Sequence, residues 1–481
     1  MIQIGDKAFA QCSSLKNIYI HSSIHKLGSK IFSNCQSLTK ISIPFSVTII
    51  EANIFEYCTN LKEVILPSSV ISIDNFGFFG CYSLKNLTIP SSVTSIGNFC
   101  FCECYSLKNL TIPSSVISIG DSCFCKCHSL KNLTIPSSVI SIGAEAFISC
   151  TSLTEVILNS QINEINFGLF KNCPLLKEIT LPSTVTSIRD YSFNDCSSLK
   201  FIRLQSLPVN VGPFCFAGCS SLQEMTVPAF TECEFKDCSS LRVVNVSSSP
   251  TIIKSNCFEN CSSLSTFSIP PSVTKIEHSC FINCTSLKTI SIPQSVKDIG
   301  MQCFSGCSSL QELAFPSIIQ VINNRMCFNC GSLKKIILPS SVYKIDEYAF
   351  AECKSLESVE FPSSLQSIGK KSFSGCCSLS AITFISPSFL THVEEESFID
   401  CTSLSQVLFP NYLKFIGKKA FCMCTSLTRI EIPKSIECIE DNAFSNCTSL
   451  SQVIIPPSIT NLGKNVFSEC RSLTIISDHT K

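Results

Sequence analysis

Thiol chemistry is the first possibility the residues raise. Cysteines occupy alternate positions at Cys100, Cys102 and Cys104, and again 23 residues on at Cys123, Cys125 and Cys127, with His128 next in line. Alternate residues of a turn can point the same way, so six thiols and an imidazole could lie close together. Three outcomes stay open: plain buried thiols, a disulfide joining Cys102 to Cys125, or a bound metal. The spacing speaks against the metal, because zinc and iron–sulfur sites generally show two residues between paired cysteines. The other histidines, His21, His25, His278, His392 and His479, form no pair at metal-binding helical spacing and lie near no nucleophile motif. There is no G-x-S-x-G, P-loop, G-x-G-x-x-G or H-E-x-x-H pattern. The acidic run Glu394 to Glu396 reads as a solvated turn. Neither a catalytic constellation nor a cofactor is expected.

The elements that would carry these thiols follow from one repeat. Cysteines recur every 23 residues from Cys12 to Cys219. After a step of 19 they resume from Cys238 to Cys376, and after a step of 25 from Cys401 to Cys470. That makes 21 units. A Leu stands three residues after each repeat Cys, from Leu15 to Leu473, and a Phe three residues before it in 20 of the 21. The exception has Cys327 in that place, with Phe328 shifted by one. Such a period is the signature of a solenoid, in which no unit buries its apolar face alone and stacked units do.

Each unit can be read from residues 81 to 104, CYSLKNLTIPSSVTSIGNFCFCEC. Leu84, Leu87 and Ile89 alternate with polar residues, so they predict a short strand with Leu87 and Ile89 inward. Pro90 ends it, because proline cannot donate to a continuing ladder. Val93 to Ile96 predicts a second short stretch, Gly97 a bend, and the rest a tight helical or 3₁₀ turn packing its Phe inward. Parallel ladders of Leu, Ile, Val, Phe and Cys should fill the interior, with each repeat Cys a small apolar residue and weak donor. Coils ~4.8 Å apart would build a rod or arc of about 100 Å. The serine before the repeat Leu, present in 19 of 21 units, is expected to bond turn backbone between coils. The short step, near 220–238, removes four residues where the second strand belongs; the long step, near 377–401, adds two around Ser386-Pro387. Both predict local kinks within a single solenoid domain over 1–481.

The unit F-x-x-C-x-S-L-x-x-I-x-I-P-x-S-V-x-x-I-G resembles the BspA-like family of leucine-rich repeats. Residues 32–51, FSNCQSLTKISIPFSVTIIE, and 124–143, FCKCHSLKNLTIPSSVISIG, carry the resemblance, which extends over 1–481. It implies a leucine-rich-repeat solenoid with a parallel β-sheet face and little regular helix. It further implies a surface antigen that adheres to proteins or cells, at the cell surface or secreted. The sequence begins mid-coil at Met1 to Asp6 without a charged and apolar signal segment, and no polar capping unit is evident at either end. Cytoplasmic location, with a scaffold role in protein–protein interaction, is therefore the alternative.

Composition narrows the partner. Lys plus Arg and Asp plus Glu number 36 each, so the formal net charge is zero and bulk nucleic-acid binding is not expected. No apolar run reaches the ~18 residues of a transmembrane segment. A binding surface would be written in the outward strand positions, the first, second and fourth after the repeat Leu. The first is basic in ten units, at Lys16, Lys62, Lys85, Lys108, Lys131, Lys177, Lys200, Arg242, Lys288 and Lys334. Over three successive coils it is joined by Asn86, Asn109 and Asn132, then Thr88, Thr111 and Thr134. These nine residues, Lys85 to Thr134, are the candidate face for an acidic or glycan-bearing protein partner. The alternative is a solvated sheet face that discourages aggregation.

Overall fold

The structure is a computed structural model that describes residues 2–206, 210–232 and 234–478. It divides into two compact units, residues 1–247 and 248–481. Each is a parallel β-solenoid of stacked coils, and together they hold about 20 turns with no helix among the described residues. His479 lies outside the described residues.

Each coil contributes to three faces. The first is a strand of three or four residues beginning two residues after the repeat Leu, such as Asn86–Thr88 and Asn109–Thr111, paired parallel with Leu87 opposite Leu110. Its burial alternates as the period of two requires, Leu87 inward between exposed Asn86 and Thr88. The second face is a two-residue strand, Ser95–Ile96, which pairs with Ser72–Ile73 and Ser118–Ile119. Between them Pro90 stops the first strand, and the Val93 amide donates to the Pro90 carbonyl to close the turn.

The third face is a run of tight turns holding Phe101 and Cys104. The Cys102 and Cys104 amides bond three residues back, to the Phe99 and Phe101 carbonyls. The run does not continue as a 3₁₀ helix because Phe99 and Glu103 take positive φ, 53° and 62°. Those turns point the Phe99, Phe101 and Glu103 amides at the next coil, where they donate to the Asp121, Cys123 and Cys125 carbonyls at 2.8 Å. All three faces are thus bonded from coil to coil, as buried backbone amides require.

The core holds the expected ladders. Phe rings stack offset and nearly parallel, as aromatic pairs prefer, from Phe9 and Phe32 at 5.7 Å to Phe216 and Phe235 at 5.7 Å. The stack continues through Phe258, Phe281 and Phe304, at 5.2 and 5.7 Å, and again from Phe350 and Phe373 at 5.3 Å to Phe444 and Phe467 at 5.7 Å. At Cys327 the ring is missing, and Met326 and Cys327 are fully buried there instead. Phe328 turns outward beside Arg325 and Tyr348. Beside the rings the repeat thiols donate to the Phe carbonyl of the preceding coil, Cys58 to Phe32 and Cys307 to Phe281, each at 3.1 Å.

One hydrogen-bond assignment needs correcting. The serine before the repeat Leu bridges coils through its backbone amide, as Ser106 does to the Tyr82 carbonyl. The hydroxyl that bridges belongs to the serine after the proline turn, Ser69 to the Val47 carbonyl at 2.8 Å and Ser138 to Val116 at 2.7 Å. The two irregular steps also differ. In the short coil, Glu224–Val227 is followed directly by Val243–Val246, with no second-face strand described between them. The long coil keeps its pairing, with Ser367 opposite His392, and takes up the extra residues around the cis Ser386–Pro387 bond.

Candidate functional site

The structure separates the six clustered thiols. Cys104 and Cys127 are repeat cysteines bonded to the Phe78 and Phe101 carbonyls at 3.3 and 3.2 Å. Cys100 and Cys123 fill the fully buried small-residue slot before the Phe. Of the six only Cys102 and Cys125 keep any exposure, Cys102 at 4% and Cys125 half-buried. His128 does not approach the thiols. It stacks on Tyr105 at 5.1 Å, and its Nδ1 lies 3.1 Å from the Ser149 carbonyl. Among the described residues no group of three His, Cys, Asp or Glu side chains could hold a metal ion.

Burial decides the chemistry of the repeat thiols. It pushes Cys35 up to about 11 and Cys196 up to about 12, and drives Cys81, Cys104 and Cys127 well above the ordinary range. These are protonated donors inside a core, the opposite of an activated nucleophile.

The candidate face is brought together as the spacing predicts. Lys85, Asn86 and Thr88, then Lys108, Asn109 and Thr111, then Lys131, Asn132 and Thr134 are all exposed on three successive coils. Asn86 sits opposite Asn109 in the ladder, with the Asn109 amide 3.5 Å from the Asn86 side-chain oxygen. The second outward position pairs elsewhere, Lys40 with Glu63 at 2.8 Å. Among the described residues, none of the ten cations of the first position, Lys16 to Lys334, joins an ion pair. In most coils where that position holds Thr or Ser, the side chain serves the stack: Thr154 donates to the Lys131 carbonyl at 3.1 Å and Ser405 to Ser380 at 3.3 Å. A lysine there gives up that bond and leaves its ammonium in solvent.

Two features escaped the sequence reading. Tyr82, Tyr105 and His128, in the position after the repeat Cys, form a half-buried stack with rings 4.8 and 5.1 Å apart. The signal was a change from Ser or Thr at that position in most other coils. The second is a groove of about 620 Å³ beside the second face, lined by Ser72, Ser95, Ser118, Ser141 and the glycines Gly97, Gly120 and Gly143. Those glycines are needed for close stacking: a Cβ at Gly120 would stand 2.5 Å from the Asn98 amide nitrogen.

No helix among the described residues is long and apolar enough to cross a membrane. No curated protein matches the chain. Among solved structures it is similar to a leucine-rich repeat protein from Bacteroides ovatus, 27% identical over 87% of this chain and 88% of that one, with a TM-score of 0.43. It is also similar to a leucine rich cell surface protein from Faecalibacterium prausnitzii, at 24% identity, 82% and 87% coverage and a TM-score of 0.26. A third likeness is to the pneumococcal vaccine antigen PcpA, at 15% identity, 91% and 89% coverage and a TM-score of 0.28. The model of the BspA type leucine rich repeat region matches in six overlapping copies, at 1–107, 71–200, 117–234, 163–284, 229–356 and 343–474. With the repeat, the parallel coils and this match over nearly all its length, the chain belongs to the BspA-type leucine-rich repeat family.

Proposed function

We propose that the chain is a non-enzymatic binding protein of the cell surface that recognises an acidic or glycan-bearing partner through Lys85, Lys108 and Lys131 with their Asn and Thr neighbours. The observation that carries this reading is the unpaired column of lysines. Each replaces a hydroxyl that elsewhere bonds the preceding coil, so the lysine does nothing for the stack that Thr154 does not do better. Exposed cations repeated once per coil suit a ligand that meets several at once, where many weak contacts give avidity. Family membership supports a surface location. The second reading is an intracellular scaffold using the same face, favoured by the column of buried free thiols.

Changing Lys85, Lys108 and Lys131 together to Glu tests the face. The variant should fold as the parent by circular dichroism, and lose retention on heparin beads and on intact source cells. Unchanged retention on both would reduce the strip to solvated surface. Labelling of the chain on intact cells by an impermeant biotin reagent decides between the two locations.

A further inference from the structure

Cys102 and Cys125 occupy the same position in adjacent coils, on the outer side of the turn face. The Glu103 amide donates to the Cys125 carbonyl at 2.8 Å, which locks the two coils in register at this point. Stacked coils stand about 4.8 Å apart, inside the roughly 4.4–6.8 Å between Cα atoms that a disulfide accepts. Each thiol is the leading electrostatic influence on the other. Among the described residues neither is tied to a backbone carbonyl, whereas Cys104 and Cys127 in the same coils are. Cys125 is half-buried and Cys102 lies just behind it, 4% exposed. Lys126 follows Cys125 and pairs with Glu103 at 2.8 Å, which places a cation beside the outer thiol.

Among the described residues no other thiol pair combines these features. Cys280 and Cys303 interact but are fully buried. Cys447 and Cys470 interact too, yet both donate to Phe carbonyls, at 3.3 and 3.2 Å. Cys422 holds the position equivalent to Cys125 and meets Ser445, whose Oγ is 3.1 Å away.

We infer that Cys102 and Cys125 form an oxidisable pair that closes into a disulfide between adjacent coils, with Cys125 the attacking thiol and Cys102 the resolving one. The hydrogen bond from Cys102, then Lys126, hold Cys125 below the ordinary cysteine range, while Cys102 is held above it. The oxidant is a low-molecular-weight disulfide such as oxidised glutathione. The Cys125 thiolate attacks one of its sulfurs, a protein–glutathione bond forms, and one glutathione thiolate leaves. Cys102 then loses its proton and attacks the Cys125 sulfur, expelling the second glutathione. Two protein thiols are oxidised, one small disulfide is reduced to two thiols, and the two released protons go to them. The pair is independent of the proposed partner: it lies on the turn face, away from Lys108 and Lys131 on the strands.

The test uses the full chain, purified reduced and treated with oxidised glutathione. Peptide mapping reads the result, because trypsin places Cys102 in peptide 86–108 and Cys125 in peptide 109–126. These two peptides should become cross-linked through Cys102 and Cys125. Before oxidation Cys125 should alkylate about tenfold faster than the buried Cys422. Cys102→Ser should leave a lasting glutathione adduct on Cys125, and Cys125→Ser should abolish both adduct and cross-link. Circular dichroism on each variant confirms the coil stack. A cross-link through Cys100–Cys123, Cys104–Cys127 or Cys447–Cys470 in place of this one would overturn the assignment. So would a stable Cys125 adduct in the parent chain, or no reaction at Cys125 at all.

Discussion

Residues 2–247 and 248–478 are built on one coil plan and put different residues in the same outward column. In the first unit that column is mostly cationic, with Lys62, Lys85, Lys108 and Lys131 on consecutive coils. In the second it passes from Lys334 to Ser380, Ser405, Thr428 and Ser451, and each of these hydroxyls donates to the carbonyl of the coil before, at 3.1 to 3.3 Å. Outside the column, cations of both units find carboxylates, Lys40 with Glu63 at 2.8 Å in the first and Lys370 with Glu395 at 2.6 Å in the second. One unit turns its column back on the stack, and the other turns it to solvent. The outward column is where these coils are free to differ, because the inward positions are fixed by their equivalents above and below.

The largest effects belong to those inward positions, where the comparison can be broken within one unit. Phe281 is fully buried between Phe258 and Phe304, at 5.2 and 5.7 Å. Phe281→Ala should cost about 3–5 kcal/mol by transfer and cavity terms together. Cys327 holds the equivalent place without a ring, so Cys327→Ala should cost about 1 kcal/mol. Denaturant melts of the two variants check this. Equal costs would mean that the stacked rings add nothing beyond a filled slot.

Next come the repeat thiols. The Cys284 thiol donates to the Phe258 carbonyl at 3.2 Å, but that carbonyl already accepts the Cys261 amide at 3.1 Å. Its removal strands no acceptor. Cys284→Ala should therefore cost on the order of 1 kcal/mol, and Cys284→Ser, which keeps a donor, no more than that. A loss near that of Phe281→Ala in the same melts would show that the thiol column does more than fill space.

How far the sequence carried these distinctions depends on what each needs. The fold was legible because 21 near-copies state the inward set over and over. The outward face was legible for the same reason: Lys85, Asn86 and Thr88 fall between buried Leu84, Leu87 and Ile89 by simple alternation. The bridging serine was misassigned because both serines recur with the period. Only the register between coils shows that Ser138, not Ser129, has a carbonyl in reach of its hydroxyl. The thiol cluster was over-read for a related reason. Alternation holds in a strand, but in a turn with Phe99 and Glu103 at positive φ neighbouring Cβ directions follow no fixed period. A division at residue 247 has no mark in the repeat beyond the missing four residues near it.

Exchanging column residues between the units sharpens the comparison at smaller scale. Lys108→Thr should gain the bond that Thr154 makes, to the Lys85 carbonyl, and stabilise the chain by about 0.5 kcal/mol. Thr428→Lys should lose such a bond, 3.3 Å to the Ser405 carbonyl, and destabilise it by a similar amount, ~0.5 kcal/mol. Thermal melts of the two exchanges should move in opposite directions. Movement in the same direction would mean that the hydroxyl bond is not what distinguishes the columns.

The smallest effect concerns the paired charges. Burial alone would raise Glu277, but Lys254, 3.4 Å away, and the Ser255 amide and hydroxyl, each at 3.2 Å, outweigh it and hold the carboxyl below the ordinary range. A depressed folded-state value stabilises above the unfolded carboxylate pKa, near 4.3, and that gain is lost as pH falls through the folded value. Glu277→Gln should thus destabilise the chain at pH 7 by a few tenths of a kcal/mol, solvent screening keeping it well under ~1 kcal/mol. Once pH has fallen below that folded value the parent and variant should melt together, because both then carry a neutral side chain at this position. Lys108→Thr touches no carboxylate, so its gain should persist across the same range. A gap between Glu277→Gln and its parent that survives at that acidic limit would assign the effect to shape and hydrogen bonding and not to charge pairing.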